Sequence, residues 1–284
     1  MDKHNQDIAS RRLEKRLNER FIKAMATYHL IEDDDHILVG LSGGKDSLLL
    51  LELLAKRAKI LHPRFTVEAL HVRMENIHYE SDTSYLQSFC DALGVPLHVR
   101  TTRFEVEPIE PAVELAIDPS VEQAKPVEQA AVSQQHPESA ARLRRQKQPC
   151  FLCSWNRRKL LFNLAQELGC NKIALGHHQD DLIHTALMNL TYQARFATMP
   201  ARLKMRKMPL TIIRPLCLIP EADIKTYAEL QGYQKQQKLC PYETNSHRTD
   251  IKRLYDQLEQ MNPEARYSIW GALETENKLI EESI

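Results

Sequence analysis

A seven-residue segment near the start of the chain has the composition of a phosphate-binding loop; its residues are Leu41, Ser42, Gly43, Gly44, Lys45, Asp46 and Ser47. We refer to it as the phosphate loop. Glycines let backbone N–H groups approach an anion, and a helix that starts directly afterwards adds about half a positive charge. The hydroxyls of Ser42 and Ser47 can donate hydrogen bonds to phosphate oxygens, and Lys45 supplies a point charge. The segment therefore predicts phosphate binding; a glycine turn without a ligand is the alternative.

The spacing within the loop excludes two common nucleotide-binding motifs. The chain lacks the G-x-x-x-x-G-K-[ST] pattern here, and it lacks the G-x-G-x-x-G pattern of dinucleotide-binding proteins. Asp46 has two interpretations, because a carboxylate at this place either stabilises the start of the helix or holds Mg²⁺.

A second polar segment, Gly176–Asp181, has the sequence GHHQDD and follows a short apolar run. Asp180 and Asp181 suit a helix N terminus, where the helix dipole favours carboxylates. Carboxylate oxygens also suit Mg²⁺, so a place beside a bound nucleotide is the other interpretation of Asp181 and of His177. His71 ends another predicted strand and is expected to line the same pocket.

The cysteines offer a further chemistry. Cys150 and Cys153 form one C-x-x-C, which alone fits half a zinc site, a redox pair or coincidence. Cys90 and Cys170 fall late in predicted helices beside leucines and are expected to be buried. Cys217 is ambiguous, and Cys240, in a loop before the last helices, is the better third partner. Three thiolates suffice to hold a [4Fe-4S] cluster with one iron open to an exogenous ligand.

Alternating apolar strands and amphipathic helices must position these groups. The predicted strands are His36–Leu41, Phe65–Val72, Pro96–Thr101 and Lys172–Gly176. The predicted helices are 8–30, Asp46–Lys59, Ser81–Leu93, Ser154–Leu168 and Gln179–Leu190. This alternation indicates an α/β protein with a doubly wound, mostly parallel sheet and extra N- and C-terminal helices. Ligands in such sheets bind outside the carboxyl ends of the strands, which is where both polar segments lie.

Charge is balanced overall but segregated along the chain. The 284 residues include 38 basic and 38 acidic ones, which excludes a uniformly basic nucleic-acid binder. Residues 105–138 are acidic and predict a mobile insertion at about 105–140, or else one or two short helices. Residues 139–166 and 182–220 carry basic residues and no acidic ones, as a contact surface for a phosphate backbone would. A merely solvated surface is the alternative for each stretch.

Length and hydropathy complete the sequence-based expectations. We expect an N-terminal helix at 1–32, a catalytic domain at 33–220 and a C-terminal helical segment at 221–284 that carries Cys240. No apolar run reaches the roughly 18 residues of a membrane span, and the first residues lack the apolar stretch of a secretory signal. A cytoplasmic enzyme without a membrane partner is therefore expected, and a homodimer is compatible with the sequence.

Taken together, the motifs resemble the tRNA 2-thiocytidine synthetases (TtcA) of the N-type ATP pyrophosphatases. The resemblance rests on the phosphate loop, on the PCFLC sequence at 149–153, on the IALGHHQDD sequence at 173–181 and on the MPARL and IRPL sequences that follow at 199–203 and 213–216. It spans roughly residues 20–273 apart from the acidic insertion. Where many members have a second C-x-x-C near the third ligand, this chain has Glu243.

The resemblance implies a Rossmann-like PP-loop ATPase fold and assigns roles to individual residues. The implied cofactors are ATP, Mg²⁺ and a [4Fe-4S] cluster on Cys150, Cys153 and Cys240. The implied catalytic residues are Lys45, Asp46 and Asp181. The nucleotide would be held by the phosphate loop, His71, Gly176 and His177. The basic stretches suggest Arg144, Arg145, Arg157, Arg158, Lys204 and Arg206 as contacts for tRNA.

The implied reaction is thiolation of tRNA, with cytidine 32 as the expected target. ATP would adenylate the C2 oxygen of the base, sulfur would replace that oxygen, and a donor such as a cysteine desulfurase would supply the sulfur. Two other functions fit parts of the pattern. A ligase that uses an amine as nucleophile would need the loop but not three thiolates, and a zinc-stabilised nucleic-acid binding module would need no catalysis at all.

Overall fold

The computed structural model describes residues 3–79, 82–104, 149–240 and 247–281. The helices of this part are α1 (Lys3–Thr27), α2 (Lys45–Ala58), α3 (Ser84–Leu93), α4 (Pro149–Glu167), α5 (Gln179–Gln193), α6 (Glu221–Gln231), α7 (His247–Met261) and α8 (Ala265–Thr275). The strands are β1 (Asp35–Gly40), β2 (Phe65–Met74), β3 (His78–Tyr79), β4 (Leu97–Thr102), β5 (Lys172–Ala174), β6 (Arg202–Lys204), β7 (Thr211–Ile213), β8 (Lys238–Leu239) and β9 (Ile280–Glu281).

Seven of these strands form one sheet in the order β4-β2-β1-β5-β7-β6-β9. β1 pairs in parallel with β2 and β5, β2 pairs in parallel with β4, and β5 pairs in parallel with β7. β6 runs antiparallel to β7. The α/β doubly wound, mostly parallel sheet that the sequence predicts is therefore confirmed.

The strand order reverses at β1. The chain first builds the sheet on one side of β1, with β2 and β4, and later returns to the other side with β5 and β7. Ligands bind in the crevice that opens at such a switch point, outside the carboxyl ends of the strands. The phosphate loop follows β1 and the Gly176–Asp181 segment follows β5. The topology thus brings both polar segments to one crevice.

The apolar periodicity of the sequence correctly identifies which residues enter the core. Every residue of the predicted apolar face of the first helix is buried, from Leu13 to Tyr28. The helix ends at Thr27, earlier than the predicted residue 30, and His29 just beyond has a positive φ of 48°. In β1 the side chains of Ile37, Leu38 and Val39 are all fully buried, as expected for a strand covered on both faces.

Five short strands are not predicted from the sequence: β3, β6, β7, β8 and β9. β6, β7 and β9 extend the sheet at one edge. β3 and β8 form a separate two-stranded antiparallel pair, in which His78 lies opposite Leu239. This pair joins the end of β2 to the residue before Cys240. The predicted insertion at about 105–140 lies outside the described residues, and none of the described helices is long and apolar enough to cross a membrane.

Candidate active site

The phosphate loop is held in shape by its own hydroxyl groups. The Oγ atoms of Ser42 and Ser47 lie 3.1 Å apart, and the backbone N–H of Gly44 donates to Ser42 Oγ over 3.3 Å. Ser47 Oγ donates to the carbonyl of Gly44 over 2.9 Å. Gly44 is also the residue that precedes α2, so the loop runs directly into a helix N terminus. This is the arrangement that favours anion binding.

Gly43 occupies a position that only glycine fits. Its φ is +80°, and a Cβ atom there would lie 2.5 Å from the Cβ of Gln236. The N–H of Gln236 donates to the carbonyl of Gly43 over 2.9 Å, and its side-chain amide donates to the carbonyl of Asp82 over 2.9 Å. The segment between α6 and β8 therefore closes over the loop and fixes its backbone.

A network of charged side chains surrounds Lys45 at the mouth of the loop. Lys45 Nζ lies 3.1 Å from Asp46 Oδ1 and 3.1 Å from Glu221 Oε1. The other carboxylate oxygen of Glu221 lies 2.9 Å from Lys252 Nζ. Partial burial opposes ionisation of Glu221, but the two lysines lower its pKa to about 2. Glu221 is therefore a carboxylate at neutral pH and holds two ammonium groups beside the crevice.

The Gly176–Asp181 segment lies directly against the phosphate loop. A Cβ atom on Gly176 would lie 3.1 Å from the backbone N of Ser47, so the two loops touch through their main chains. The N–H of His178 donates to Asp181 Oδ2 over 3.1 Å, which caps α5. His178 is buried, and its Nε2 lies 4.0 Å from Asp46 Oδ1. The capping interpretation of Asp181 is thus observed, and its carboxylate also faces the crevice.

Asp180 connects the start of α5 to α6 and α8. Its carboxylate accepts a hydrogen bond from the backbone N–H of Glu221 over 2.7 Å and lies 2.8 Å from an Arg266 guanidinium nitrogen. Burial opposes ionisation of Asp180, but Arg266 and the Glu221 amide lower its pKa. Arg266 also contacts Glu259 at 3.0 Å. These contacts fix α7 and α8 against the start of α5.

Two of the predicted histidines are uncharged; His71 is buried and His177 is partly buried. His71 donates through Nδ1 to the carbonyl of Leu41 over 2.8 Å, and among the described residues its Nε2 has no partner. Burial lowers its pKa. Burial and the nearby Arg214 guanidinium lower the pKa of His177 to about 4. Arg214 Nε lies 3.3 Å from His177 Nδ1. Both imidazoles therefore reach the crevice as neutral groups.

The predicted cluster ligands lie on elements near the carboxyl ends of β2 and β4. Cys150 and Cys153 occupy the first turn of α4, and Cys240 follows β8. Cys153 and Cys240 pack against the same small group of apolar side chains, formed by Met74, Ile77 and Phe104. In the described part of the chain, no three His, Cys, Asp or Glu side chains converge as a ready metal site. The structure therefore brings two of the three thiols to a common surface.

The other three cysteines are buried. Cys90, Cys170 and Cys217 are at most 5 % exposed. Burial raises the pKa of Cys90 to about 12 and that of Cys170 to about 11. They behave as small apolar groups, which confirms the expectation for Cys90 and Cys170 and shows that Cys217, ambiguous from the sequence, is buried as well.

The predicted tRNA contacts are distributed over two elements. Arg158, Lys204 and Arg206 are exposed, whereas Arg157 is partly buried with its guanidinium 3.4 Å from the hydroxyl of Tyr79. Arg144 and Arg145 lie outside the described residues. α4 also exposes two aromatic side chains that the sequence analysis does not single out, Phe151 at 52 % and Trp155 at 51 %. In the sequence, their spacing of one helical turn next to basic residues could have indicated an exposed aromatic and basic face of α4.

A glycine loop that joins a buried parallel strand to a helix at a sheet switch point is typical of nucleotide-binding α/β proteins. A family model for PP-loop domains, ATP_bind_3, matches residues 9–135 and 155–254. The U34-tRNA thiolase NcsA from Methanococcus maripaludis, solved with its [4Fe-4S] cluster, has a TM-score of 0.65 with this structure. The likeness covers 97 % of this chain and 82 % of that chain at 23 % identity, which supports the fold.

Curated relatives identify the family more narrowly. The tRNA-cytidine(32) 2-sulfurtransferase of Bordetella avium is 31 % identical over 263 residues, which cover 92 % of this chain and 73 % of the relative. The protein of the same name from Alkalilimnicola ehrlichii is 31 % identical with the same coverage. The chain belongs to this family of tRNA sulfurtransferases, also called tRNA 2-thiocytidine synthetases, which confirms the resemblance seen in the motifs.

Proposed function

We propose that the protein replaces the C2 oxygen of cytidine 32 in tRNA with sulfur, at the expense of ATP. The observation that carries the proposal is the match to sulfurtransferases named for this reaction over 92 % of the chain, together with a phosphate loop at the switch point of the sheet. In the proposed reaction the C2 oxygen attacks the α-phosphate of ATP and pyrophosphate leaves. Sulfur then attacks C2, and the oxygen departs with AMP.

The phosphate loop supports the first step. Its backbone amides and the start of α2 are placed to bind the leaving pyrophosphate, whose charge increases as the bond breaks. Lys45 lies at the mouth of the loop, where Glu221 and Asp46 hold its ammonium group. Asp46 Oδ1 is buried and accepts no hydrogen bond among the described residues, although Lys45 Nζ lies 3.1 Å away, and an oxygen of this type suits Mg²⁺. We propose that Asp46 and Asp181 bind the magnesium of Mg–ATP.

The thiols at the carboxyl ends of β2 and β4 support a [4Fe-4S] cluster. We propose Cys150, Cys153 and Cys240 as its ligands, since the donor type fits and two of these residues pack against one apolar surface. The solved thiolase NcsA, which shares the fold, is described with such a cluster. When bound through three thiolates, the cluster leaves one iron open to an exogenous ligand such as sulfide.

The exposed basic and aromatic residues of α4 support binding of the tRNA. Arg158 is exposed beside Phe151 and Trp155, and Lys204 and Arg206 are exposed on and beyond β6. Basic side chains bind the phosphate backbone, and aromatic rings stack on splayed bases. Arg144 and Arg145 stay proposed contacts as well. We further propose a cytoplasmic enzyme that receives sulfur from a donor such as a cysteine desulfurase.

Mass spectrometry of tRNA nucleosides tests the function directly. Deletion of the gene should remove 2-thiocytidine from total tRNA, and the wild-type gene should restore it. Lys45→Ala should not restore it, because the loop loses its point charge. Lys225→Ala, which removes an exposed lysine of α6, is the matched control and should restore it fully. Unchanged 2-thiocytidine in the deletion strain would contradict the proposal.

A further inference from the structure

A cavity adjoins the phosphate loop on the side of β5 and β7. It has a volume of about 280 Å³ and lies between α5 and α7, with His177, Asp181 and Glu221 at the end nearest the phosphate loop. Side chains one turn apart on α5 line one wall. Its volume is close to the lower limit of about 300 Å³ for ligand pockets, which suits a single nucleotide better than a folded RNA segment.

The cavity combines an apolar wall with two cations. Met188, Met199 and Ile251 supply the apolar surface, and Arg248 and Lys252 face it from one side of α7. Both cations are exposed to solvent, so an anion can reach them. Lys252 is paired with Glu221 at 2.9 Å. Arg248 has no hydrogen bond or ion pair with any described residue, and it is the cation left over for a ligand.

The cavity and the phosphate loop meet at Glu221. The phosphate loop follows β1, whereas the cavity is built by helices that follow β5 and β7. Glu221 connects the two, because its carboxylate touches Lys45 of the loop and Lys252 of the cavity. A reaction between ATP and a base needs a place for the base next to the bound phosphates, and a cavity beside the phosphate loop offers one.

We propose that the cavity receives one splayed nucleotide of the tRNA substrate, with Arg248 and Lys252 contacting its phosphate. The apolar wall would cover the face of the base, as protein surfaces do for bases taken out of a stack. This proposal rests on the proposed function, since it takes tRNA as the second substrate. It assigns to α7 a role in RNA binding that the basic stretches of the sequence do not indicate.

Arg248→Gln tests the proposal, because Arg248 touches neither Glu221 nor the phosphate loop. Affinity for unmodified tRNA should be measured at several salt concentrations, in the presence of a non-hydrolysable ATP analogue. We expect several-fold weaker binding and a log–log salt slope smaller by about 1, as for the loss of one phosphate contact. The KM for tRNA should rise while the KM for ATP stays unchanged.

Arg253→Gln is the matched control. Arg253 is on the same helix, has a side chain 75 % exposed and does not line the cavity. It should leave the affinity and the salt slope unchanged. The proposal would be overturned if the two substitutions had equal effects or if Arg248→Gln had none. It would also be overturned if Arg248→Gln weakened the binding of ATP instead of the binding of tRNA. Thiolation by the wild-type enzyme in the same assay would show that such a failure concerns the cavity and not the proposed function.

Discussion

His177 lies beside the crevice as a partly buried imidazole between the Arg214 guanidinium and the start of α5. Arg214 itself is buried, and burial lowers its pKa to about 10, so it remains charged at neutral pH. A cation at this distance disfavours a second positive charge on the imidazole. The site therefore offers a neutral hydrogen-bonding group beside the phosphate loop.

The lowered pKa of His177 predicts a pH-dependent stability. The pKa of His177 is about 4 in the folded chain and ordinarily 6.5. At a pH between these two values, the imidazole is protonated in the unfolded chain but not in the folded chain. Stability should therefore fall as pH decreases through this window. His177→Asn should reduce the loss between pH 6.5 and pH 5 by about 2 kcal/mol. Urea unfolding at the two pH values measures the effect, and parallel losses in both proteins would contradict it.

Gly43 gives a second prediction at the level of one residue. Gly43→Ala should weaken ATP binding strongly, because the added Cβ would lie 2.5 Å from Gln236 and displace the loop. Gly94→Ala is the matched control, since Gly94 has a similar φ of +73° but open space around its Cβ position. Both should lose about 1–2 kcal/mol of stability through the positive φ. Calorimetric titration with ATP should separate them, and equal ATP affinities would contradict the interpretation of Gly43.

The thiols of the proposed cluster ligands lie on α4 and directly after β8, and the pairing of β3 with β8 helps to position them. The antiparallel pair of β3 and β8 ties the residue before Cys240 to the end of β2. The first turn of α4 places Cys153 against the same apolar side chains, Met74, Ile77 and Phe104. The first turn of α4 and the β3–β8 pair thus bring Cys153 and Cys240 to one apolar surface, although these residues are far apart in sequence.

Substitution of the thiols tests this arrangement. Cys153→Ala and Cys240→Ala should each abolish the broad absorption near 400 nm of anaerobically purified protein and abolish thiolation, while ATP binding is retained. Cys170→Ala is the control, because Cys170 is buried away from this surface and its thiol pKa is raised to about 11 by burial. Retained thiolation in Cys240→Ala would remove the cluster from the proposed mechanism.

The strands next to strong helix patterns were predictable, and β6 and β7 were not. β1 and β2 were identified within two residues at either end, because apolar residues dominate β1 and alternate with polar ones at the start of β2. β6 and β7 have only three residues each, so their local sequence contains no periodic signal. Glu221 was missed for a different reason: after Pro220 an acidic residue looks like an ordinary helix start, and its contact with Lys45 depends on the tertiary fold.

At the scale of the whole molecule, the C-terminal helices are part of the site. Glu221 and Lys252 link α6 and α7 to the phosphate loop, and Arg266 links α8 to Asp180 at the start of α5. Gln236 covers Gly43 from the segment after α6. The phosphate loop itself was predictable from sequence, whereas these supports were not, since no local pattern connects residues so distant along the chain.

Breaking the link at Arg266 should loosen the C-terminal helices. Arg266→Gln leaves the Asp180 carboxylate without its charge partner, and both side chains are less than one fifth exposed. We expect a loss of about 2–3 kcal/mol, below the value of about 3–5 kcal/mol for fully buried pairs. Lys15→Gln, which removes an exposed pair with Glu19, should cost less than about 0.5 kcal/mol. Urea unfolding compares the two, and similar losses would contradict the role of Arg266.

The reversal of strand order at β1 has a consequence for synthesis of the chain on the ribosome. The glycine turn after β1 is translated early, but its neighbour β5 and the covering Gln236 are translated only in the second half of the chain. Domains fold as units once their segments have emerged. A nascent chain that ends before Gln236 would therefore expose the turn without its cover, and productive nucleotide capture would begin only late in translation.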